Sequence, residues 1–182
     1  MAVIRGYIAA SLDGYIADRE GGIDWLKPYE ALDLGYGDFI DSVSVTVMGR
    51  STYEQILSLG GGWPYERQHT IVVTSRRLKG APPHITAWNR GIPALAGHLR
   101  ALKSGDVWIV GGAMLQSALA DLGALDRLEL FVMPVLLGKG LPLFRRLVHQ
   151  RHVTLVSAQR LAGGVAKLDY RFGNDEWREE FP

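Results

Sequence analysis

Cysteine is absent from this chain of 182 residues, and its absence excludes several kinds of site at once. Disulfides, cysteine-ligated zinc, iron–sulfur clusters and a thiol nucleophile all require it. An excess of charge of one sign is missing too, because 20 basic side chains are balanced by 19 acidic ones. This balance predicts that neither nucleic acid nor an anionic membrane surface is a partner.

Long hydrophobic runs are also missing. No apolar stretch approaches the ~20 residues that a membrane span needs, and the first residues lack the pattern of a signal peptide, so we expect a cytoplasmic location. The composition, with 47% hydrophobic and 21% charged residues, is that of an ordinary globular domain. The length fits one domain, which we place at residues 1–173. The polar residues 174–182 are predicted to be a flexible tail.

Stretches typical of strands and helices alternate along the chain. The predicted strands span residues 2–10, 43–48, 70–74, 85–88, 106–110, 125–135, 153–161 and 165–172. The predicted helices span residues 29–42, 51–59, 93–103 and 113–120, with Ser51 or Thr52 capping the second. Such alternation is typical of a mostly parallel sheet with crossover helices. Gly163 and Gly164 predict a hairpin between the last two strands, which adds an antiparallel edge.

The two commonest nucleotide-binding motifs, the P-loop and the Rossmann glycine fingerprint, do not occur. Instead, three predicted strands end in glycine or small polar residues. These ends are Gly49-Arg50-Ser51-Thr52, Thr74-Ser75-Arg76 and Gly111-Gly112-Ala113. Ligands bind at the carboxyl ends of parallel strands, and helix N-termini with adjacent arginines suit phosphate. Each junction alone is equally typical of an ordinary polar turn, and only their joint occurrence favours a nucleotide site.

At these junctions the sequence resembles the dihydrofolate reductase superfamily. Met48–Glu54 is similar to its M-G-R-x-T-[WFY]-E stretch, Ile71–Arg76 to its second nucleotide segment and Val110–Leu115 to its third. Ser11–Ala17 and Pro134–Phe144 resemble the branch related to the reductase domain of bacterial riboflavin biosynthesis. The resemblance covers most of the chain. It implies an α/β fold of three layers, dihydrofolate-reductase-like, with a mostly parallel central sheet and an antiparallel C-terminal hairpin.

The resemblance also implies NADPH as the cofactor, and the family's binding residues carry over to matching positions. Gly49, Arg50, Ser51 and Thr52 would hold the pyrophosphate and 2′-phosphate side, and Thr74, Ser75 and Arg76 would flank the adenosine 2′-phosphate. Gly111, Gly112, Ala113, Met114 and Leu115 would pass under the pyrophosphate and nicotinamide ribose, while Ala9 and Ile16 would border the nicotinamide ring.

Reduction also needs a proton, and two carboxylates are candidates for its source. Trp25-Leu26-Lys27-Pro28 resembles the start of the family's folate-binding helix, whose acid lies five residues after the tryptophan, here at Glu30. The family's usual distance back from Gly49 gives Asp33 instead. In the predicted helix the two carboxylates share one face, so either could point into a cleft. Alternatively, both are solvated carboxylates near a helix N-terminus.

The interpretation that the sequence favours is an NADPH-dependent reductase similar to 5-amino-6-(5-phosphoribosylamino)uracil reductase. Its substrate would be a small heteroaromatic or ribosylaminopyrimidine-like metabolite. The alternatives are a true dihydrofolate reductase and a non-catalytic NADPH-binding module. We also expect a homodimer, because the predicted strand at Leu128–Leu137 is apolar on both faces. No metal site is expected, and the basic residues of Arg145–His152 are either a solvated face or a subsite for a phosphorylated substrate.

Overall fold

The computed structural model describes residues 2–173, and the tail predicted at 174–182 lies outside them. The strands are β1 Ile4–Ser11, β2 Tyr15–Ala17, β3 Val43–Gly49, β4 His69–Val73, β5 Ile85–Trp88, β6 Asp106–Gly111, β7 Arg127–Met133, β8 Leu141–Pro142, β9 Val153–Arg160 and β10 Ala166–Phe172. The α-helices are α1 Tyr36–Ser42, α2 Arg50–Ser58, α3 Ile92–Arg100 and α4 Ala113–Asp121, and short 3-10 helices span Asp24–Tyr29 and Ala162–Gly164. Within residues 2–173, no helix is long and apolar enough to cross a membrane.

A central sheet with the strand order β5-β4-β3-β6-β1-β7-β10-β9 organises the described residues. The strands from β5 to β7 run parallel to their neighbours, whereas β10 is antiparallel to both β7 and β9. Gly163 and Gly164 adopt positive φ values of 66° and 76° in the predicted hairpin, a conformation that glycine adopts without steric cost. The predicted sheet and its antiparallel C-terminal end are therefore confirmed.

Helices cover the two faces of this sheet and produce the three layers that were predicted. On one face, Leu95 of α3 and Leu119 of α4 pack in a buried cluster with Ile109 of β6. On the other face, Phe39 of α1 and Tyr53 of α2 pack in a second cluster. Because the inner strands are covered on both sides, they are apolar almost throughout instead of alternating with polar residues.

The strand predicted to lie at a dimer interface is internal. Both backbone edges of β7 are paired, one with β1 and the other with β10. Phe131 and Met133 are buried on one of its faces, so a second chain could reach this strand only through side chains of the other face. The homodimer itself stays a prediction.

The predicted helix over residues 29–42 is wrong in its first half. The chain forms the 3-10 helix Asp24–Tyr29 and a loop, and α1 begins only at Tyr36. Gly35 has φ +80° and ψ +24°, a left-handed conformation that interrupts a right-handed helix. The predicted cap of the second helix is also corrected, because α2 begins at Arg50 with Gly49 as its N-cap.

Candidate functional site

Two of the three predicted junctions lie side by side at the carboxyl edge of the sheet. Strands β3 and β6 are neighbours, with Met48 opposite Gly111. Both strands therefore lead into their helices at the same position along the sheet. A Cβ added to Gly49 would lie 3.9 Å from the backbone nitrogen of Gly112, and one added to Gly112 would lie 3.6 Å from Thr52 Oγ1. The two junctions are therefore neighbours in space, and each would accommodate a Cβ at ordinary van der Waals distance.

The helices that follow these glycines leave their N-termini open to a ligand. Gly49 precedes α2 and Gly112 precedes α4, and no side chain among the described residues caps either helix by a hydrogen bond. Helix N-termini carry unpaired N–H groups and the positive end of the helix dipole. Two such ends that converge on one point are suited to a phosphate or pyrophosphate group.

The third junction joins the same edge through β4. Val73 is paired with Gly49, and Thr74–Arg76 follow directly. The Thr74 hydroxyl accepts a hydrogen bond from the backbone N–H of Arg76 at 3.1 Å, and Arg50 Nη1 donates to the Arg76 carbonyl at 3.5 Å. The structure thus brings Arg50, Arg76 and the paired glycines together, as the motifs predicted.

Two cavities open at this edge. The main cleft, of about 960 Å³, runs between α2 and the loop before the first 3-10 helix. The side pocket, of about 420 Å³, lies against the first turns of α3 and α4. Both are lined by Ser51, Gly112, Ala113 and Leu141, so the two cavities adjoin beside the helix N-termini.

Most of the predicted cofactor residues line these cavities. Ala9, Ile16, Thr52 and Gly111 line the main cleft, and Gly49, Met114 and Leu115 line the side pocket. Arg50, Thr74, Ser75 and Arg76 line neither cavity. The Ser75 and Arg76 side chains are exposed, and Arg50 forms an ion pair with Glu54 at 2.7 Å. These four residues lie beside the glycine junctions, where they could meet only the outer part of a bound ligand.

The two candidate acids do not line the main cleft. Glu30 follows the first 3-10 helix and Asp33 lies in the loop before α1, so they do not share a helical face. Both are exposed, neither lines the main cleft, and Asp33 accepts a hydrogen bond from the backbone N–H of Gly35 at 2.9 Å. Their predicted catalytic role therefore gains no support from their positions.

A clasp between two distant segments, which the sequence did not reveal as a contact, closes one wall of the main cleft. The Asp13 carboxylate accepts hydrogen bonds from the backbone N–H groups of Leu137 at 3.1 Å and Gly138 at 2.6 Å. Nearby, β2 pairs with β8, and a Cβ on Gly140 would clash with the Ala17 carbonyl oxygen. Hydrogen bonds from the Ser11 hydroxyl and from these amides keep the pKa of Asp13 below its usual value, so the clasp is ionised at neutral pH.

The inner wall of the main cleft is aromatic, and sequence reasoning placed none of its residues in the site. Tyr7, Tyr65 and Trp108 line it together with aliphatic side chains. Burial raises the pKa of both Tyr7 and Tyr65 well above the usual value, so their hydroxyl groups stay protonated. The Tyr7 hydroxyl donates to the Leu34 carbonyl at 2.9 Å. This wall can contact a flat ring without presenting a charge to it.

Comparison with known proteins gives relatives in sequence and in fold. The family model of the RibD C-terminal domain matches residues 3–167. The uncharacterized protein YwjB of Bacillus subtilis is 37% identical over 165 residues, which are 90% of this chain and 94% of that protein. A solved protein of Shewanella sp. PV-4, provisionally described as a riboflavin biosynthesis protein, has a TM-score of 0.85 and 26% identity, over 96% of this chain and 100% of that chain. The dihydrofolate reductase of Enterococcus faecalis, solved with NADP(H), shares the fold, with a TM-score of 0.64, 18% identity and coverage of 94% of this chain and 97% of that chain.

Proposed function

Because this chain belongs to the family of RibD C-terminal domains, a reductase-like family of riboflavin biosynthesis, we propose that it is an NADPH-dependent reductase. Its substrate is a small heteroaromatic or ribosylaminopyrimidine-like metabolite. One observation carries the proposal: two helix N-termini, without side-chain caps among residues 2–173, meet at Gly49 and Gly112, next to the wall of Ser51, Gly112 and Ala113 that both cavities share. This arrangement suits the pyrophosphate of a dinucleotide, with its two halves lying in the two cavities.

In this proposal the protein binds, orients and shields the reactants. The backbone N–H groups that follow Gly49 and Gly112 hold the pyrophosphate, and Arg76 adds a charge for the 2′-phosphate. Ala9 and Ile16, which line the main cleft, border the nicotinamide end. The bound cofactor supplies a hydride, and the aromatic inner wall keeps water away from the reacting ring.

Cofactor titration is the first experiment. NADPH fluorescence should rise on binding, and NADH should bind more weakly because it lacks the 2′-phosphate. Oxidation of NADPH is then followed at 340 nm with 5-amino-6-(5-phosphoribosylamino)uracil and, separately, with dihydrofolate. Turnover of the pyrimidine alone would support the riboflavin-type reductase, and turnover of dihydrofolate alone would support the folate enzyme instead. Absence of NADPH binding would contradict the proposal as a whole.

The position of the two carboxylates favours a second candidate, a non-catalytic NADPH-binding module. Glu30 and Asp33 are exposed and do not line the main cleft, so neither predicted proton source lines the cavity proposed for the substrate. A module would bind NADPH with the same preference over NADH and oxidise none with either substrate under single-turnover conditions. A reductase that takes its proton from solvent would still give a turnover whose rate falls as pH rises.

A further inference from the structure

A third cavity, of about 470 Å³, opens beside the last turn of α4 and is lined by Ala120 and Phe172 among others (the Phe172 cavity). It shares no lining residue with the main cleft or the side pocket among residues 2–173. Neighbouring residues line different cavities, since Phe144 lines the Phe172 cavity and Arg145 lines the side pocket. Small-molecule sites usually have volumes of about 300–1,000 Å³, so the Phe172 cavity is large enough for a ligand of its own.

Much of the lining of the Phe172 cavity is apolar, and part of it is aromatic. The rings of Phe144 and Phe172 are tilted by 52°, with their centroids 6.4 Å apart, and both pack against the buried cluster of α3 and α4. Leu147, Val148 and Val153 also line the cavity and are 43%, 77% and 38% exposed. A ligand that removes these side chains from water gains free energy. A further ring packs well against tilted phenylalanine rings, in an edge-to-face or offset arrangement.

The ionisable side chains of this lining are basic. His149 and Arg151 line the cavity, and no carboxylate among the described residues does. The carboxylate of Asp121, the last residue of α4, is engaged with backbone, because it accepts hydrogen bonds from the N–H groups of Val148 at 3.0 Å and His149 at 3.3 Å. The Arg151 guanidinium donates to the Asp121 carbonyl oxygen, and this bond occupies one of its five N–H donors. The other donors suit the oxygen atoms of an anion.

Contacts with α4 hold this basic segment in place. Arg146 has φ +59° and is the one non-glycine residue with a positive φ in the described part of the chain, a conformation that persists where the surroundings impose it. On one side of this turn the backbone N–H of Arg145 donates to the Ser117 hydroxyl at 2.7 Å, and on the other side Val148 is bound to Asp121. A wall that is fixed before the ligand arrives loses less entropy on binding. None of residues 145–152 lines the main cleft, so the segment contributes nothing to the wall of that cleft.

We propose that the Phe172 cavity binds an amphipathic anion, an apolar aromatic ring that carries one carboxylate, sulfonate or phosphate group. The ring packs against Phe144 and Phe172, and the anionic group accepts hydrogen bonds from Arg151. A cationic ring is disfavoured by repulsion, because residues 145–152 include five Arg or His residues and no Asp or Glu. The inference does not depend on the proposed reductase function, since the residues that carry it line neither cofactor cavity.

Two fluorescent probes with the same rings test the proposal on the full-length protein. 8-Anilinonaphthalene-1-sulfonate carries one negative charge, and N-phenyl-1-naphthylamine is neutral. Both should bind the folded protein with or without NADPH. A rise in sodium chloride from about 50 to about 500 mM should weaken binding of the sulfonate and not that of the amine, because salt screens an exposed ion pair. Absence of sulfonate binding, its displacement by NADPH, or an affinity that does not fall with salt would overturn the proposal.

Substitutions of exposed side chains locate the bound probes. Arg151→Gln should weaken sulfonate binding about fivefold, the effect of one exposed charge pair, and leave amine binding unchanged. Arg90→Gln, at an exposed arginine that lines none of the three cavities, should change neither. Val153→Asp places a carboxylate in the lining and should weaken both probes, the sulfonate more than the amine. Its matched control is Val156→Asp, at a residue of the same strand that is 54% exposed and outside the lining. If Arg151→Gln retains wild-type affinity for the sulfonate, or if the two aspartate variants behave alike, the assignment fails.

Discussion

Replacement of Gly49 by alanine should separate cofactor binding from stability. A Cβ at this position would lie 3.9 Å from its nearest neighbour, the backbone nitrogen of Gly112, which is ordinary van der Waals contact. Gly49 has φ −76° and ψ 163°, so alanine adopts its backbone conformation without strain. The lower entropy of the unfolded chain stabilises such a variant by about 0.4–1 kcal/mol, whereas alanine is a poorer N-cap than glycine by up to about 1 kcal/mol. The two effects oppose each other, so the melting temperature should change by less than about 4 °C.

The same methyl group should weaken NADPH binding strongly. It would stand between the N–H groups of the two helices and a bound pyrophosphate, and would push that group outward by about 1.5 Å, one carbon–carbon bond. A hydrogen bond lengthened by that amount is lost. Each hydrogen bond to a charged group contributes about 1.5–3 kcal/mol, so the loss of one lowers NADPH affinity by at least about tenfold. Fluorescence titration gives the affinity and circular dichroism gives the melting temperature.

Gly97 provides a matched control for this substitution. It lies exposed within α3, and an added Cβ would meet no atom within 4 Å. Gly97→Ala should therefore stabilise the protein by about 0.5–1 kcal/mol through helix propensity and leave NADPH binding unchanged. Two results would refute the reasoning: Gly49→Ala with wild-type affinity for NADPH, or a loss of affinity that is matched by a fall in stability of several kcal/mol.

Three further predictions concern charged side chains. Arg76→Ala should cost about 1.5–3 kcal/mol of NADPH binding and almost nothing for NADH, and equal losses in titrations of the two cofactors would exclude a role at the 2′-phosphate. Glu30→Gln and Asp33→Asn should each leave kcat within about twofold, since both carboxylates are exposed outside the cleft, and a steady-state assay that showed a hundredfold loss for either would restore it as the proton donor. Glu129 is 5% exposed and forms an ion pair with Lys167 at 2.7 Å. Its replacement by Gln should destabilise the fold by about 3–5 kcal/mol at pH 7, because it breaks a buried ion pair. Burial opposes its ionisation, but hydrogen bonds from Lys167 and Arg5 hold the pKa of Glu129 below its usual value. The contribution of Glu129 to the free energy of unfolding is therefore complete above the unfolded-state pKa of about 4.3 and is lost as pH falls through the lower folded-state pKa. Urea unfolding at pH 3 to 7 should show a weaker pH dependence of stability in the variant than in the wild type.

The glycine junctions were predictable because their chemistry is local. A strand that ends in Gly49 or in Gly111-Gly112 and turns directly into a helix has few ways to continue, and the alternation of elements then places the ends of parallel strands at one edge. The pairing of Met48 with Gly111 and of Val73 with Gly49 follows from that topology. Neighbours in sequence thus determine this half of the site, and the resemblance could be carried over residue by residue.

The start of α1 was not predictable from the same kind of pattern. Leu32, Tyr36, Phe39 and Ile40 recur at helical spacing, and a single amphipathic helix would place them on one stripe. In the folded chain they pack in different clusters, since Leu32 packs with Phe131 and Phe39 packs with Trp108. Residues at helical spacing reach separate clusters because the turn at Gly35 changes the direction of the chain. The prediction that Glu30 and Asp33 share one face assumed one continuous helix, and it is wrong for that reason.

The sequence therefore specifies the two halves of the site to different degrees. The half that would hold a dinucleotide is made of backbone N–H groups at glycine turns, whose residues are neighbours in the sequence. The inner cleft is made of side chains that meet only through the sheet, such as Tyr65 and Trp108, whose rings lie 5.4 Å apart although 43 positions separate them in the chain. A change at one of them alters what ring can enter without disturbing the glycine turns. Family membership thus supports a cofactor class, and the substrate class has to be inferred from the aromatic wall of the main cleft.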